Sequence, residues 1–159
     1  MGVLRGVILR YVWPKGDKAP WRIIQKPAGK AWGAFKILGT QMFPIGDFDE
    51  GIPRLNEPHR IYKTHKGYRV FYTGRVDPDL DAMLAVMKRN GADETYCDIA
   101  SRRRYYAARI EPKYPSAKNN DWAICQLVAE YGQRNTAWNE IINIHDMETG
   151  IYMETDNLV

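Results

Sequence analysis

The chain is poor in cysteine, and this limits the kinds of site and scaffold that it can form. Its 159 residues include only two cysteines, Cys97 and Cys125, which lie far apart and form no Cys-x-x-Cys pair. This pattern excludes a cysteine-based zinc site and a disulfide-rich scaffold. Because small secreted domains usually depend on disulfides, we expect the protein to reside in the reducing cytoplasm.

Long apolar runs are also lacking. No segment approaches the roughly 18 apolar residues that a membrane-spanning helix needs. The apolar N-terminal stretch is interrupted by Arg5 and Arg10, so it does not resemble a signal peptide, and Gly6 stands where an acylation signal has serine or threonine. The sequence therefore predicts no membrane partner.

Motifs that bind nucleotide cofactors are missing as well. The chain has neither the GxxxxGK(S/T) phosphate loop nor the GxGxxG motif of dinucleotide-binding folds. Ser101 and Ser116 lack the flanking glycines of a hydrolase nucleophile, and Cys97 has no histidine nearby in the sequence. We expect no cofactor and no metal, and the sequence favours a binding protein over an enzyme.

What the chain does have is aromatic side chains and a mild excess of positive charge. It contains 5 Trp and 10 Tyr, its formal net charge is +4 and its pI is about 9.0. Aromatic rings can fill a core or stack on a ligand. A basic surface permits, but does not require, a phosphate-rich partner.

Hydrophobic patterns predict one α+β domain over residues 1–159, mainly an antiparallel sheet with about three helices packed on one face. Its parts would be N-terminal strands and a long loop (1–58), a hairpin–helix–hairpin module (59–113) and two C-terminal helices (121–146). Strands are predicted at 3–13, 21–26, 32–38, 94–99 and 104–110, a hairpin at 60–75 turning at 65–67, helices at 77–89, 121–131 and 136–145, and a tail or short edge strand at 147–159. The predicted loop at 39–58 is long enough to be functional or to contain an unrecognised element.

The clearest element is the helix that follows Asp77 and Pro78. Aspartate is a good N-cap, and proline fits the first helical position. Four apolar residues recur on one face, namely Leu80, Met83, Leu84 and Met87. Asp79 and Asp81 then lie in the first turn, where capping and the helix dipole explain them better than a metal site does.

Residues 101–113, SRRRYYAARIEPK, combine three consecutive arginines with two tyrosines. Arginine grips phosphate oxygens with a planar fork, and tyrosine rings stack on bases. The hairpin at 60–75 mixes cationic and aromatic residues in the same way, so the two segments predict a shared basic, aromatic sheet face. The alternative is that the charges only keep an exposed hairpin soluble and protect a sheet edge. The predicted phosphate contacts are Arg69, Arg75, Arg102, Arg103, Arg104, Arg109 and Lys113, and the predicted stacking surfaces are Tyr68, Tyr105 and Tyr106.

Few residues qualify as catalysts. Asp98, His145 and Asp146 are the candidates, because they could lie near the same arginines. The alternative for His145 is a capping or packing role, since a helix C-terminus stabilises a histidine cation. Phosphoryl transfer through two metals needs several convergent carboxylates, and no spacing in the chain guarantees them.

Several short motifs in the C-terminal two-thirds recur together. They are Tyr62-Lys63-Thr64, Gly67-Tyr68-Arg69, Thr73, Asp77-Pro78, Gly91-Ala92-Asp93, Tyr96, Arg109-Ile110-Glu111-Pro112-Lys113 and His145-Asp146-Met147-Glu148-Thr149. In this the chain resembles a group of small bacterial and phage-borne proteins of unknown activity, in which we expect arginine at the position of Ala107. The resemblance implies that the hairpin–helix–hairpin unit is a recurring module, and it implies no activity.

Three functions are consistent with the sequence. The first is a module that binds nucleic acid or another phosphate-bearing ligand through the basic, aromatic face. The second is a phosphoryl-transfer enzyme, either a nuclease or a nucleotidyltransferase. The third is a phage-borne factor that blocks or bridges a host protein and uses exposed Trp and Tyr as anchors.

Overall fold

The computed structural model describes residues 3–4, 7–9, 21–27, 34–110 and 125–151. In chain order its elements are β1 (Val3–Leu4), β2 (Val7–Leu9), β3 (Trp21–Pro27), β4 (Ala34–Thr40), β5 (Ile45–Phe48), β6 (His59–Lys63), β7 (Tyr68–Phe71), α1 (Leu80–Arg89), α2 (Glu94–Arg103), β8 (Tyr106–Arg109), β9 (Gln126–Tyr131), a 3-10 turn (Thr136–Trp138) and α3 (Asn139–Thr149). The fold is a single-domain α+β fold, as predicted.

The strands form two antiparallel sheets rather than the one expected. Sheet A has the strand order β1-β2-β3-β4-β8, and sheet B has the order β5-β7-β6-β9. The C-terminal part of the chain therefore contributes a strand to each sheet. The two sheets approach each other at β5 and β8, and this junction shapes the cleft described below.

One predicted strand differs in extent from the observed one, and one predicted loop contains a strand. The strand expected at 3–13 is a pair of short strands, with Val3 opposite Ile8, and residues 10–13 lie outside the described part of the chain. The long loop at 39–58 contains β5, which pairs with β7. Its four-residue span includes Gly46 and lies between Pro44 and Asp49, so local propensity gives it almost no strand signal.

The predicted strand at 94–99 is wrong, because these residues begin helix α2. Asp93 caps this helix by accepting a hydrogen bond from the Tyr96 backbone N–H at 2.9 Å. Cys97 and Ala100, three residues apart, are its buried positions. The helix ends at Arg104, which adopts a left-handed conformation with φ of 67°.

The predicted helix at 121–131 is also wrong over the residues that the structure describes. Residues 126–131 form β9, an edge strand that pairs with β6 through a bulge between Ile61 and Tyr62. Most of its side chains are exposed, so it is held in place by backbone pairing more than by burial. Residues 121–124 of that prediction lie outside the described ranges. Of the tail or short edge strand predicted at 147–159, residues 147–149 belong to helix α3 instead, and residues 152–159 lie outside the described ranges.

Most of the remaining predictions agree with the structure. The hairpin joins β6 to β7, and the Thr64 N–H donates to the Gly67 carbonyl at 2.8 Å across its turn. Helix α1 buries the four predicted apolar residues, but its cap is Asp79 and not the predicted Asp77, so Pro78 precedes the cap and is not the first helical residue. The predicted C-terminal helix is the 3-10 turn followed by α3, and it buries the expected Trp138, Ile141, Ile142 and His145. No helix in the described ranges is long and apolar enough to cross a membrane.

Gly67 lets the hairpin tip lie directly on the strand beside it. A Cβ at this position would be 2.3 Å from the Phe48 carbonyl oxygen and 2.9 Å from the Asp49 Cα, and both are backbone atoms that cannot rotate away. We expect Gly67→Ala to destabilise the fold by about 1–3 kcal/mol through overpacking. Urea denaturation measures this change, with the exposed neighbour His65→Ala as the control. Equal midpoints for the two variants would contradict the packing described here.

Candidate ligand-binding site

A cleft of about 560 Å³ opens where the two sheets meet. It is lined by β5 and β7 of sheet B, by β4 and β8 of sheet A, by helix α2 and by the tip of the β6–β7 hairpin. Tyr96 of α2 braces this junction, because its hydroxyl donates to the Ile45 carbonyl and accepts from the Ala107 backbone N–H. The cleft thus lies between elements that are tied together by direct hydrogen bonds.

Cationic side chains from four different elements line the cleft. They are Lys66 at the hairpin tip, Arg69 of β7, Arg103 of α2 and Arg109 of β8. Arg69 and Arg109 are linked, because the Arg69 Nη2 donates to the Arg109 carbonyl oxygen at 3.0 Å. The exposed His65 lies beside Lys66 at the same rim.

Arg103 is held in the wall of the cleft by aromatic rings. Its guanidinium carbon lies 4.9 Å from the centre of the Tyr105 ring and 5.8 Å from that of Tyr96. Its Nε donates to the Tyr105 carbonyl at 3.0 Å, whereas its buried Nη2 has no hydrogen-bond acceptor within the part of the chain that the structure describes. The stacking contacts hold the guanidinium in one plane and leave donor capacity unused.

Three carboxyl groups line the cleft together with these cations, namely Asp47, Asp49 and Asp93. Asp47 lies directly opposite Arg69 in the β5–β7 pairing, so their side chains share one face of sheet B. Burial raises the pKa of the Asp47 carboxyl to about 6, although the charges of Arg69 and Arg109 act in the opposite direction. Burial and the neighbouring Asp93 also raise the pKa of Asp49.

Behind the cleft, a buried polar network connects β6 and β7 to helix α3. Asp146 accepts hydrogen bonds from the Tyr62 hydroxyl at 2.7 Å, from the Arg60 Nη2 at 2.8 Å and from the His145 ring at 2.9 Å. The other ring nitrogen of His145 accepts from the Arg69 Nη1 at 2.9 Å. This network therefore ends at a side chain that lines the cleft.

Comparison with protein-family models, with curated proteins and with solved structures found no match. The site is therefore interpreted from its own geometry and chemistry.

The structure brings three of the seven predicted phosphate contacts together, places three elsewhere and does not describe the seventh. Arg69, Arg103 and Arg109 line the cleft. Arg75 is bound by both carboxylate oxygens of Glu57, at 2.6 and 3.0 Å, and Arg104 is bound by both of Asp81, at 2.9 and 3.1 Å. The two remaining positions are Arg102, which is exposed on α2 outside the cleft, and Lys113, which lies outside the described residues.

The predicted stacking role of the tyrosines does not agree with the structure. Tyr105 and Tyr106 are buried, at 3% and 0% exposure, so their rings support Arg103 and the core rather than a base. Tyr68 is half-buried, and the Lys63 ammonium lies 5.2 Å from its ring centre. The predicted basic, aromatic sheet face is in fact a charged cleft between two sheets.

The three catalytic candidates lie in two different places, and none of them lines the cleft. Asp98 is exposed on α2 and pairs with Lys88 at 3.3 Å, away from the cleft. His145 and Asp146 are buried in the network behind the cleft rather than exposed to a ligand. The carboxyl groups that line the cleft were not predicted, although two of them, Asp47 and Asp49, lie in the long loop at 39–58 that was expected to be functional or to contain an unrecognised element. Within the described ranges, no group of three or more His, Cys, Asp or Glu side chains has the arrangement of a metal site.

Proposed function

We propose that the protein binds a phosphate-bearing ligand of about the size of one nucleotide in this cleft. The ligand would be a free nucleotide or the terminal nucleotide of a single strand. The observation that supports this proposal is the convergence of Arg69, Arg103 and Arg109 from three separate elements on one concave site. Guanidinium groups bind phosphate oxygens with paired, charge-assisted hydrogen bonds.

The dimensions of the cleft agree with this class of ligand. Pockets for small molecules and cofactors typically have volumes of roughly 300–1,000 Å³, and the cleft has about 560 Å³. Its lining also includes the apolar side chains of Ile37, Ile45 and Ile99, which could contact a base or sugar. The charged groups would then fix the phosphate, and the apolar groups would cover the rest of the ligand.

The test is a binding titration at two salt concentrations, with inorganic phosphate, a nucleoside monophosphate and a labelled single-stranded oligonucleotide as probes. Removing a hydrogen bond to a charged group costs about 1.5–3 kcal/mol, so Arg103→Ala and Arg109→Ala should each weaken binding roughly 10- to 100-fold. Arg102→Ala is the matched control, because Arg102 is exposed on the same helix outside the cleft. Phosphate binding should also weaken as salt is added.

Two outcomes would contradict the proposal. One is that no probe binds at low salt. The other is that Arg102→Ala weakens binding as much as Arg103→Ala does, which would place the contact on the exposed helix surface. In either case the search should turn to protein partners.

A second candidate function is a phosphoryl-transfer enzyme that uses Asp47. The observation that favours it is a carboxyl group with a pKa of about 6 beside arginines in a cleft. A pKa close to the working pH suits a general acid or base, and perturbed groups in clefts are frequent at active sites. If the protein turns over a nucleotide or an oligonucleotide, Asp47→Asn should abolish turnover and leave binding within about threefold. Binding without turnover in the wild type would exclude this candidate for the probes used.

A further inference from the structure

We infer that His145 and Asp146 of helix α3 are positioning residues for the cleft, and that they act by holding the Arg69 guanidinium in its ligand-binding orientation. This inference rests on the proposed function, because the orientation of Arg69 affects binding only if the cleft takes an anionic ligand. The contacts themselves are a property of the fold and can be measured without a ligand.

The hydrogen-bond pattern fixes the protonation of His145. Arginine can only donate, so the His145 Nε2 that lies 2.9 Å from the Arg69 Nη1 must be an acceptor. In a neutral ring the proton is then on Nδ1, which donates to the Asp146 carboxylate at 2.9 Å. Burial lowers the pKa of His145 to about 4, so the ring is neutral near physiological pH.

The carboxylate that orients His145 is itself fixed by its neighbours. One oxygen of Asp146 accepts from the Tyr62 hydroxyl, and the other accepts from the Arg60 Nη2. Arg60, Tyr62, His145 and Asp146 are all at most 4% exposed. The network is thus a buried support for Arg69 rather than a cluster on the protein surface.

A neutral acceptor behind Arg69 has a specific electrostatic consequence. A carboxylate in direct contact at this point would neutralise the guanidinium, whereas an imidazole holds it without removing its positive charge. The negative charge of Asp146 is matched instead by Arg60, at 2.8 Å. On the neighbouring strand β5, the charged side chain that faces Arg69 is that of Asp47. Arg69 therefore lines the cleft as a largely buried cation, with one amino group held by His145 and the second fixed on the Arg109 carbonyl.

Three variants separate positioning from simple stabilisation. His145→Leu removes the nitrogen acceptor of the Arg69 Nη1 and leaves this group the weaker sulfur acceptor of Cys125, at 3.3 Å. His145→Gln can restore both contacts, because an amide places an oxygen acceptor and a nitrogen donor about as far apart as the two ring nitrogens. Thr149→Val is the structural control: the Thr149 hydroxyl is buried on the same helix and donates to the His145 carbonyl at 2.8 Å. It makes no described hydrogen bond to Arg69, so its loss should lower stability alone.

The first readout needs no ligand. Arginine side-chain NMR should show separate, slowly exchanging Nη resonances for Arg69 in the wild type, in His145→Gln and in Thr149→Val, and averaged ones in His145→Leu. Nitrogen chemical shifts of the wild-type His145 ring should show a proton on Nδ1 and none on Nε2. The opposite tautomer, or averaged Arg69 resonances in the wild type, would overturn the inference, even if His145→Leu does not fold.

The second readout is the affinity for a nucleoside monophosphate. We expect about tenfold weaker binding in His145→Leu, and binding within about twofold of the wild type in His145→Gln and Thr149→Val. Equal weakening in His145→Leu and Thr149→Val would show a purely structural role and overturn the inference. If the wild type binds no probe while the Arg69 resonances behave as expected, the proposed function fails and the positioning of Arg69 stands.

Discussion

Asp146→Ala should lower the free energy of unfolding by about 3–5 kcal/mol, which is the usual cost of removing one partner from a buried ion pair. The substitution leaves the Arg60 guanidinium, the Tyr62 hydroxyl and the His145 ring N–H without their common acceptor in the core. Burial of Arg60 at 1% exposure gives water no access to replace it. The shift in the midpoint of urea denaturation measures the effect.

Glu130→Ala is the matched control for this experiment, because Glu130 binds the same arginine. Its carboxylate lies 2.9 Å from the Arg60 Nη1, but its side chain is 35% exposed. Exposed ion pairs contribute about 0–1 kcal/mol, so the control should remain within about 1 kcal/mol of the wild type. Similar losses for the two variants would contradict the assignment of Asp146 as the buried centre of the network.

The pH dependence of stability should show two opposing contributions between pH 4 and 6.5. His145 has its pKa lowered from 6.5 to about 4, so the unfolded chain binds the extra proton and stability is lost as the pH falls through this range. Asp47 has its pKa raised from 3.8 to about 6, so the folded state binds the extra proton and stability is lost as the pH rises. Each contribution is on the order of 3 kcal/mol, and in the wild type the two act against each other over this range.

Single substitutions should separate these two contributions. In Asp47→Asn only the histidine contribution remains, so the free energy of unfolding should fall more steeply than in the wild type as the pH is lowered from 6.5 to 4. In His145→Gln it should instead rise over the same interval. Urea denaturation at several pH values measures both slopes, with Asp98→Asn, on the exposed face of α2, as a control that should follow the wild type. Parallel curves for all variants would contradict the burial described for both groups.

Local sequence signals predicted some elements well, because in those elements the signals specify the structure without contacts to the rest of the chain. Helix α1 has a capping aspartate and apolar residues spaced three and four apart, and neither signal depends on the rest of the chain. Helix α2 has a cap too, but Thr95, Tyr96 and Ile99 favour strands. The hydrogen bonds of Tyr96 to β5 and β8 are tertiary contacts, and they have no signature in a sequence window.

The wrong helix prediction at β9 has the opposite cause, because here residues with the spacing of a helix form a strand. Leu127, Val128 and Tyr131 have the spacing of a helical face, yet in the structure they are exposed on an edge strand. The strand is defined by its pairing with β6, more than sixty residues earlier in the chain. Hydrophobic periodicity does not detect an element whose stability comes from distant backbone hydrogen bonds.

At the site, the composition of the sequence predicted the arginines but not the acidic side chains that lie beside them. Arg69, Arg103 and Arg109 stood out because cationic residues are dense in their segments, whereas Arg75 and Arg104 look the same in sequence and are bound to acids in the fold. Asp47 approaches Arg69 only because of the register between β5 and β7. That register depends on β5, a strand with almost no local signal in the sequence.

The most direct test of the cleft as a phosphate site is an NMR titration that follows the arginine side-chain Nε–H groups while a nucleoside monophosphate is added at low salt. We expect saturable shifts at Arg103 and Arg109, which line the cleft, and none at Arg102 and Arg104, which lie outside it. Shifts confined to Arg102 and Arg104, or no shift at any arginine, would contradict a phosphate site in the cleft.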